Sequence, residues 1–544
     1  MKSKQIRFYY AFLAWLFCFT VFLGLGACWP GGPMASPQKL IILSSSDFPV
    51  IDEIIAQFNQ EKGYAVELRS YGLWDWFYDV QGKSSHYDGI LTNNSDWIKL
   101  SDNGHNHFGN DYKIAFSPIA LGIKPEALKK LGLEKGITGL DHLVELITNH
   151  ELSFAMASGS KSHSGIVALL EILAGFNYPQ LEVDSELLQR SGIKNTLNRF
   201  FKRHQLSGLS SLWLKQDFLR LYNYLDIMIN YESYLIQCNQ ELVKFGQPAL
   251  KIIYLNSSLS FDGPVVALNN KADETKQKIY KELVDYLSSD KVKNILDLAG
   301  FRSGDPDKQL PLEPSPLDPS WLVSRFMPPR PKSWPDFDLL VECLNYYQEE
   351  LRKPVFQIMA LDFSGSMDGR NQEKLFSALK KFCNQEEAKK YFHQYTPKDR
   401  VFILPFNHDL IWENPLEVKF DSVQSTEELC HRLTSIVPSG GTDIYKPLIK
   451  AMEFIYLTAG ESRNYQPTIV LLTDGTSNAD RSSLVDVKRF WRQGNFGPVP
   501  PLIFPILYGT ASLYQLSEIA EFTNTRVVDG RKDLNAGFFW AKSD

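Results

Sequence analysis

The sequence predicts an α/β protein in two successive parts, each built on a central, mostly parallel sheet wrapped by helices. Residues 39–303 and 352–544 both alternate short apolar runs with segments of helical apolar spacing, the pattern left by parallel strands and their crossover helices. Between them, 304–336 is dominated by proline and charge and reads as a semi-rigid linker. A chain of 544 residues is also too long for one core and calls for two or three domains.

The first 28 residues read as a targeting segment. Lys2, Lys4 and Arg7 precede an apolar run from Phe8 to Leu23, which closes in Leu25-Gly26-Ala27-Cys28. This closing tetrapeptide resembles the bacterial lipoprotein signal, which implies acylation of Cys28 and a lipid anchor in the cell envelope. An uncleaved membrane anchor is the other reading, since the run approaches bilayer-spanning length. Both place the remainder outside the cytoplasmic membrane. Residues 29–38 are rich in Pro, Gly and Ser and read as a tether.

The part from 39 to 303 opens as a βαβ unit. Lys39–Leu43 is a strand that ends in Ser44-Ser45-Ser46-Asp47. Pro49–Lys62 is an amphipathic helix with Ile51, Ile54, Ile55 and Phe58 on one face, and Ala65–Ser70 is a second strand. Later, Phe154-Ala-Met-Ala-Ser-Gly leads through Ser160, Ser162 and Ser164 into a helix. Hydroxyls and backbone amides at a helix start cradle an anion or polar ligand, and Ser is equally favoured there as a cap. Ser45 and Ser46 pose the same choice, and Tyr231 with Glu232 sits at a strand-to-helix junction. The order of elements resembles that of bacterial solute-binding proteins of the two-lobed periplasmic type, more than any single motif does. The resemblance implies a cleft for a small polar solute, with contacts from both lobes.

Phe337–Leu351 has Leu340, Leu344, Tyr347 and Leu351 at helical spacing and predicts a lead-in helix. Beyond it, strands are expected at 355–361, 401–406, 468–473, 502–508 and 525–528. Helices are expected at Lys374–Cys383, Thr426–Val437, Tyr445–Leu457, Ser483–Arg492 and Leu513–Phe522. The first of these strands runs into Asp362-Phe-Ser364-Gly-Ser366, a cluster of oxygen-bearing side chains at the strand end where open α/β sheets bind ligands. Ser439-Gly-Gly-Thr442 and Thr473-Asp474-Gly475 supply a third hydroxyl and a second carboxylate. A small hard cation takes roughly six oxygens near 2.1 Å. Three hydroxyls and two carboxylates leave such an ion with at least one position open for an acidic group from outside.

The set Asp362, Ser364, Ser366, Thr442 and Asp474 resembles, residue for residue, the metal-ion-dependent adhesion site of von Willebrand factor type A (VWA) domains. Asp399 to Asn407 also resembles that family's second core strand. The resemblance implies a Rossmann-like fold and a Mg²⁺ or Mn²⁺ ion, with Ser364, Ser366 and Thr442 binding directly and Asp362 and Asp474 largely through water. It further implies a protein partner that offers an acidic side chain. Asp368 and Asp443 lie beside the site, either orienting the ligands or simply solvated.

Composition narrows the functions. With 57 basic against 63 acidic side chains and no Lys/Arg-rich run, nothing indicates nucleic-acid binding. Neither part carries a phosphate loop or a Gly-x-Gly-x-x-Gly, and no Ser/His/Asp or Cys/His set supports nucleophilic catalysis. His105 and His107 share a polar loop with no further ligand at metal spacing. Cys383 and Cys430 fall on two expected helices of one domain, where a disulfide and two free thiols are both possible. The expectation is a binding protein rather than an enzyme, with a metal-dependent protein interaction joined to solute binding. A transport receptor docked through its second domain is the alternative, and a metal-dependent hydrolase, which lacks an evident general base, is a third.

Overall fold

The computed structural model describes residues 38–45, 48–133, 140–177, 182–208, 210–254, 263–303, 318–323, 334–420, 423–458, 465–477, 482–494, 496, 500–523, 525–531, 534 and 538. Cys28 and Ser46 lie outside them. From Lys39 onward the described chain forms one compact unit.

Its first half is two-lobed. Lobe one begins with β1 (Lys39–Ser44), β2 (Ala65–Ser70), β3 (Gly89–Thr92) and β4 (Phe108–Lys113). The chain then crosses to lobe two with β5 (Ile119–Ile123), β6 (Phe154–Ala157), α1 (His163–Gly175), β7 (His204–Gly208), β8 (Ile227–Tyr231), α2 (Glu232–Lys244) and β9 (Lys251–Tyr254). It returns to lobe one as β10 (Val265–Asn269). The sheet orders are β2-β1-β3-β10-β4 and β7-β6-β8-β5-β9. In lobe one β1, β2 and β3 are parallel and β10 antiparallel. The crossing segments lie side by side: Ile114 N donates to Pro264 O at 2.8 Å, and Phe116 pairs with Arg302 through two backbone bonds of 2.9 Å.

Part of the expected linker is ordered against this half, since Trp321 is buried in a cluster with Leu214, Phe218 and Leu250 of lobe two. The lead-in helix α3 (Phe337–Tyr346), extended by a wider turn over Tyr347–Leu351, also joins the first half rather than the second. Leu340, Cys343, Leu344, Tyr347 and Leu351 share one core with residues of both lobes.

The second half follows from β11 (Val355–Asp362), all eight residues of which are buried. With it come α4 (Arg370–Cys383), β12 (Arg400–Phe406), β13 (Leu416–Val418), α5 (Val423–Thr434), α6 (Tyr445–Leu457), β14 (Gln466–Thr473), β15 (Leu502–Leu507) and β16 (Val528–Asp529). The sheet order is β13-β12-β11-β14-β15-β16, parallel except for β13. Alternate β11 side chains serve opposite faces, Val355, Met359 and Leu361 one core and Phe356, Ile358 and Ala360 the other. The sequence expectation missed β13, which is three residues long, and the short helix Gln385–Lys390.

A buried ion pair anchors the start of this sheet. Arg352 Nη1 donates to Asp399 Oδ1 at 2.8 Å and its Nη2 to Oδ2, while Asp399 also accepts from Val355 N at 2.9 Å and Thr396 N at 2.8 Å. Removing one partner strands the other charge without water. Asp399→Ala is expected to lower the stability of the full chain by about 3–5 kcal/mol in urea denaturation, and Arg352→Met/Asp399→Leu to recover much of that loss. A loss below about 1 kcal/mol in the single variant would show that the pair does not hold the sheet.

Candidate functional site

The loop cluster at the carboxyl end of β11 brings the expected residues together. Asp362 ends the strand fully buried, its Oδ1 accepting from Ser364 N at 2.7 Å and its Oδ2 from Thr473 Oγ1 at 2.6 Å. Burial pushes its carboxyl up to about 6, opposed by the Thr473 and Ser364 bonds, and a cation in front of it would favour the charged form. Ser364 Oγ lies 3.1 Å from Ser366 Oγ, which donates to Asp474 Oδ1 at 2.6 Å. The Thr442 hydroxyl closes the group: a Cβ added at Gly475 would lie 2.9 Å from Thr442 Oγ1 and 3.5 Å from Ser366 Oγ, so only glycine leaves the space between them open.

Backbone bonds fix the loops. Gly365 N donates to Gly440 O and Ser439 N to Phe363 O, both at 3.0 Å, locking the second segment onto the first. Asp443 is buried and caps α6, accepting from Tyr445 N at 2.9 Å and Lys446 N at 3.1 Å, whereas Asp368 is exposed and accepts from Gly369 N. Two groups escaped the sequence reading. Thr473 holds Asp362, and Asn371 Nδ2 donates to Asp474 Oδ2 at 2.7 Å. Thr473 was visible as the residue before Asp474; Asn371 carried only the signal of a polar side chain in the first turn after the loop.

These donors fit a small hard cation. Hydroxyls and carboxylates are the right oxygen types, and the glycine gap keeps them convergent. Among the described residues no group of three or more His, Cys, Asp or Glu could hold a metal ion, so hydroxyls would be essential to any site.

The second candidate lies between the lobes, at the carboxyl ends of β1, β3, β6 and β8. Ser45 Oγ donates to Thr92 Oγ1 at 2.9 Å and lies 3.1 Å from His163 Nε2 of the opposite lobe. Ser162 Oγ is 3.2 Å from Ser164 Oγ, which accepts from Ser211 Oγ at 2.7 Å. Trp97 meets the His163 ring edge-on at 5.5 Å. Three buried polar atoms here, Asn93 Oδ1, Trp97 Nε1 and His163 Nδ1, have no hydrogen-bond partner among the described residues. Tyr231 is buried, and burial raises its hydroxyl. Glu232 is taken up by the hinge: Arg302 Nε and Nη2 donate to its two oxygens at 2.7 and 2.5 Å, and Tyr254 Oη also donates to it. His107, in the loop far along lobe one, pairs through Nδ1 with Asp102 at 2.8 Å.

Ser160 has a different set of neighbours. Its carbonyl accepts from Trp74 Nε1 of lobe one at 2.7 Å, and its hydroxyl accepts from Gln348 Nε2 on the turn that extends α3. The Tyr347 ring lies flat against Gly159, where an added Cβ would sit 2.8 Å from it. The sequence reading could not find Gln348 and Tyr347; Gln348 lies 188 residues from Ser160 in the chain, and neither belongs to a recognisable motif.

These features define the class of protein: a two-lobed binding fold followed by a Rossmann-like domain with an oxygen-rich loop site. Residues 40–302 match the family of bacterial extracellular solute-binding proteins, and 358–476 match the von Willebrand factor type A domain. The chain therefore joins a solute-binding domain to a VWA domain. Among solved structures it is similar to iron-bound HitA from Pseudomonas aeruginosa (14% identity, 57% of this chain and 98% of that one, TM-score 0.40). It is also similar to a spermidine/putrescine ABC transporter substrate-binding protein, PotD, from Streptococcus pneumoniae (16%, 57% and 99%, 0.39). A ferric binding protein from Campylobacter jejuni is a further match (13%, 48% and 86%, 0.37). No curated protein matches the chain.

His163 gives the cleft a pH signature. Burial holds its imidazole down to about 3 against an ordinary 6.5. The unfolded chain then binds a proton that the folded chain refuses, so this contribution to stability is full above pH 6.5 and is lost as pH falls toward 3. The stability difference between the wild type and His163→Gln is expected to shift by about 2 kcal/mol between pH 7 and pH 5, in the direction that penalises the wild type in acid. Parallel urea curves at the two pH values measure it, and an unchanged difference would mean that His163 titrates freely.

Proposed function

We propose that this chain is an extracytoplasmic, membrane-anchored binding protein. Its VWA site takes an acidic side chain of a protein partner on a Mg²⁺ or Mn²⁺ ion, and its first domain holds a small polar solute. The observation that carries the reading is the convergence of Ser364, Ser366, Thr442 and Asp474 around the Gly475 gap, at the end of a buried strand. A bound ion supplies a coordination position that a carboxylate oxygen fills. The chain's own part is to hold the hydroxyls together, keep Asp362 dry behind them, and orient Asp474 through Asn371. Exposed Val437 lies just before the Ser439–Thr442 loop and suits a partner with apolar surface beside its acid. Both sites bind; neither needs to catalyse.

Membrane attachment rests on the Cys28 signal, and the extracytoplasmic location also on the extracellular family matched by residues 40–302. Among the described residues no helix is long and apolar enough to cross a membrane. The orphaned polar atoms Asn93 Oδ1, Trp97 Nε1 and His163 Nδ1 support a polar solute between the lobes.

The metal reading is tested by titrating Mg²⁺ and Mn²⁺ into the full chain by calorimetry, beside Ser364→Ala/Ser366→Ala. Saturable heat is expected only in the wild type, together with about 2.7 kcal/mol of added stability at a hundredfold excess over Kd. Equal heats in both proteins would sink the assignment.

The two sites are joined by α3 and its following turn. Trp334 meets Trp97 of lobe one at 5.3 Å and Phe337 stacks on Phe77 at 5.2 Å, while Tyr347 meets Phe201 of lobe two at 5.9 Å. The VWA domain also touches both lobes. Phe392 packs on Trp74 at 4.7 Å and Tyr78 Oη donates to Lys390 O at 3.0 Å. On the other side Lys353 Nζ donates to Gln205 at 3.2 Å and Arg526 lies 4.3 Å over Trp213. Lobe movement is thereby coupled to the VWA domain, which favours a sensing role over a transport receptor that opens and closes freely. In Gly159→Val the new side chain pushes Tyr347 off the Ser160 loop. Hydrogen exchange is expected to quicken by tenfold or more, about 1.4 kcal/mol, in both 158–165 and 337–351. Quickening confined to 158–165 would break the coupling.

A further inference from the structure

Cys383 is the last residue of α4, and Cys430 lies in α5. Their Sγ atoms are 3.9 Å apart, both side chains are half-buried, and both are free thiols. The other two described cysteines, Cys238 and Cys343, are fully buried in separate apolar clusters. We propose that Cys383 and Cys430 are a redox site that closes to a disulfide, clamping α4 to α5.

Geometry and compartment both favour it. Bringing the sulfurs from 3.9 Å to the roughly 2.05 Å of a disulfide moves each by about 1 Å, within reach of side-chain rotation. The helices are already tied elsewhere, since Gln372 Nε2 of α4 donates to Ile436 O just beyond α5 at 3.0 Å. The family matched by 40–302 is extracellular, where disulfides persist. Access is adequate because neither side chain is fully buried.

The pair is also chemically asymmetric. The hydrogen bond to Cys383 and the Lys380 charge lower the Cys430 thiol against the effect of burial, while the same contact and burial raise Cys383. Lys380 favours Cys430 as the attacking thiolate, and the disulfide that closes is the same whichever sulfur attacks first. Cys430 displaces one sulfur of an external protein disulfide oxidant to give a mixed disulfide, releasing one thiolate. Cys383 loses its proton to solvent and attacks the Cys430 sulfur, expelling the second thiolate. Two thiols of this chain are oxidised by two electrons, and one external disulfide is reduced to two thiols.

The clamp would hold two segments that carry the loop cluster. α4 starts one residue before Asn371, which holds Asp474, and α5 leads into the Ser439–Thr442 segment. The redox proposal does not depend on a metal ion binding there, and its test uses none.

Full-length protein is treated with oxidised glutathione or with dithiothreitol, alkylated with N-ethylmaleimide, and mapped by mass spectrometry without reduction. The expected result in the oxidised sample is a Cys383–Cys430 cross-linked peptide lacking label. Its thermal midpoint should rise by about 4 °C over the reduced protein, by the chain-entropy scale for a loop of this length in a unit of this size. In Cys430→Ser both the cross-link and the midpoint rise should vanish. Full labelling of Cys383 and Cys430 after oxidation would overturn the proposal, as would glutathione adducts on either one without the cross-link.

Discussion

The Arg352–Asp399 pair stands where the two halves of the chain meet, and much of the arrangement runs through it. On one side Asp399 accepts from Val355 N and so sets the first residue of β11 against the start of β12. On the other side Arg352 Nε donates to Gln348 Oε1 at 2.8 Å, and Gln348 passes the contact to Ser160 at the lobe interface. Every member of this relay is buried, so each bond is strengthened by low dielectric and each is expensive to leave unmade. A continuous polar path thus links the first strand of the VWA sheet to the loop that opens α1.

At the far end of β11 the logic is reversed. There the strand delivers a buried carboxylate with no cationic side chain among its hydrogen bonds: Asp362 is held by the Ser364 amide and by the Thr473 and Ser364 hydroxyls. Such a group keeps its charge poorly in isolation, which is why burial moves it up to about 6. The sheet thus anchors one end with a paired charge and leaves at the other a buried carboxylate whose charged form the proposed cation would favour.

The residues differ in how legible they were. β11 and Asp362 could be read because a mostly apolar run that ends in a turn-marking Asp leaves a local signature, and the VWA elements were found within a few residues of their ends. β13 could not, since three residues carry no periodicity. The serine run before α1 was legible as a helix start, but its use was not. Whether Ser160 meets a solute or the chain itself depends on Trp74 and Gln348, which only tertiary folding brings there. The lead-in helix was legible as amphipathic, yet periodicity does not say which core its face enters, and it entered the one with both lobes.

Phe392 shows how firmly that contact is held. Its φ is 55°, a left-handed backbone that a bulky side chain adopts only when its surroundings enforce it. The helix Gln385–Lys390 closes in this conformation through the bond from His393 N to Ala388 O at 2.8 Å, and the Phe392 ring packs on Trp74 of lobe one. Fully burying a large apolar side chain contributes about 1.5–3 kcal/mol. Trp74, Phe392 and Trp334, all buried, together therefore rival the ~4–8 kcal/mol that a solute supplies at millimolar to micromolar affinity. These contacts hold lobe one against α3 and the VWA domain without a solute. The loop that would face a solute is the one Ser160 shares with Gln348, and Gln348 in turn accepts from Arg352, so the polar path from the lobes to the VWA sheet starts there.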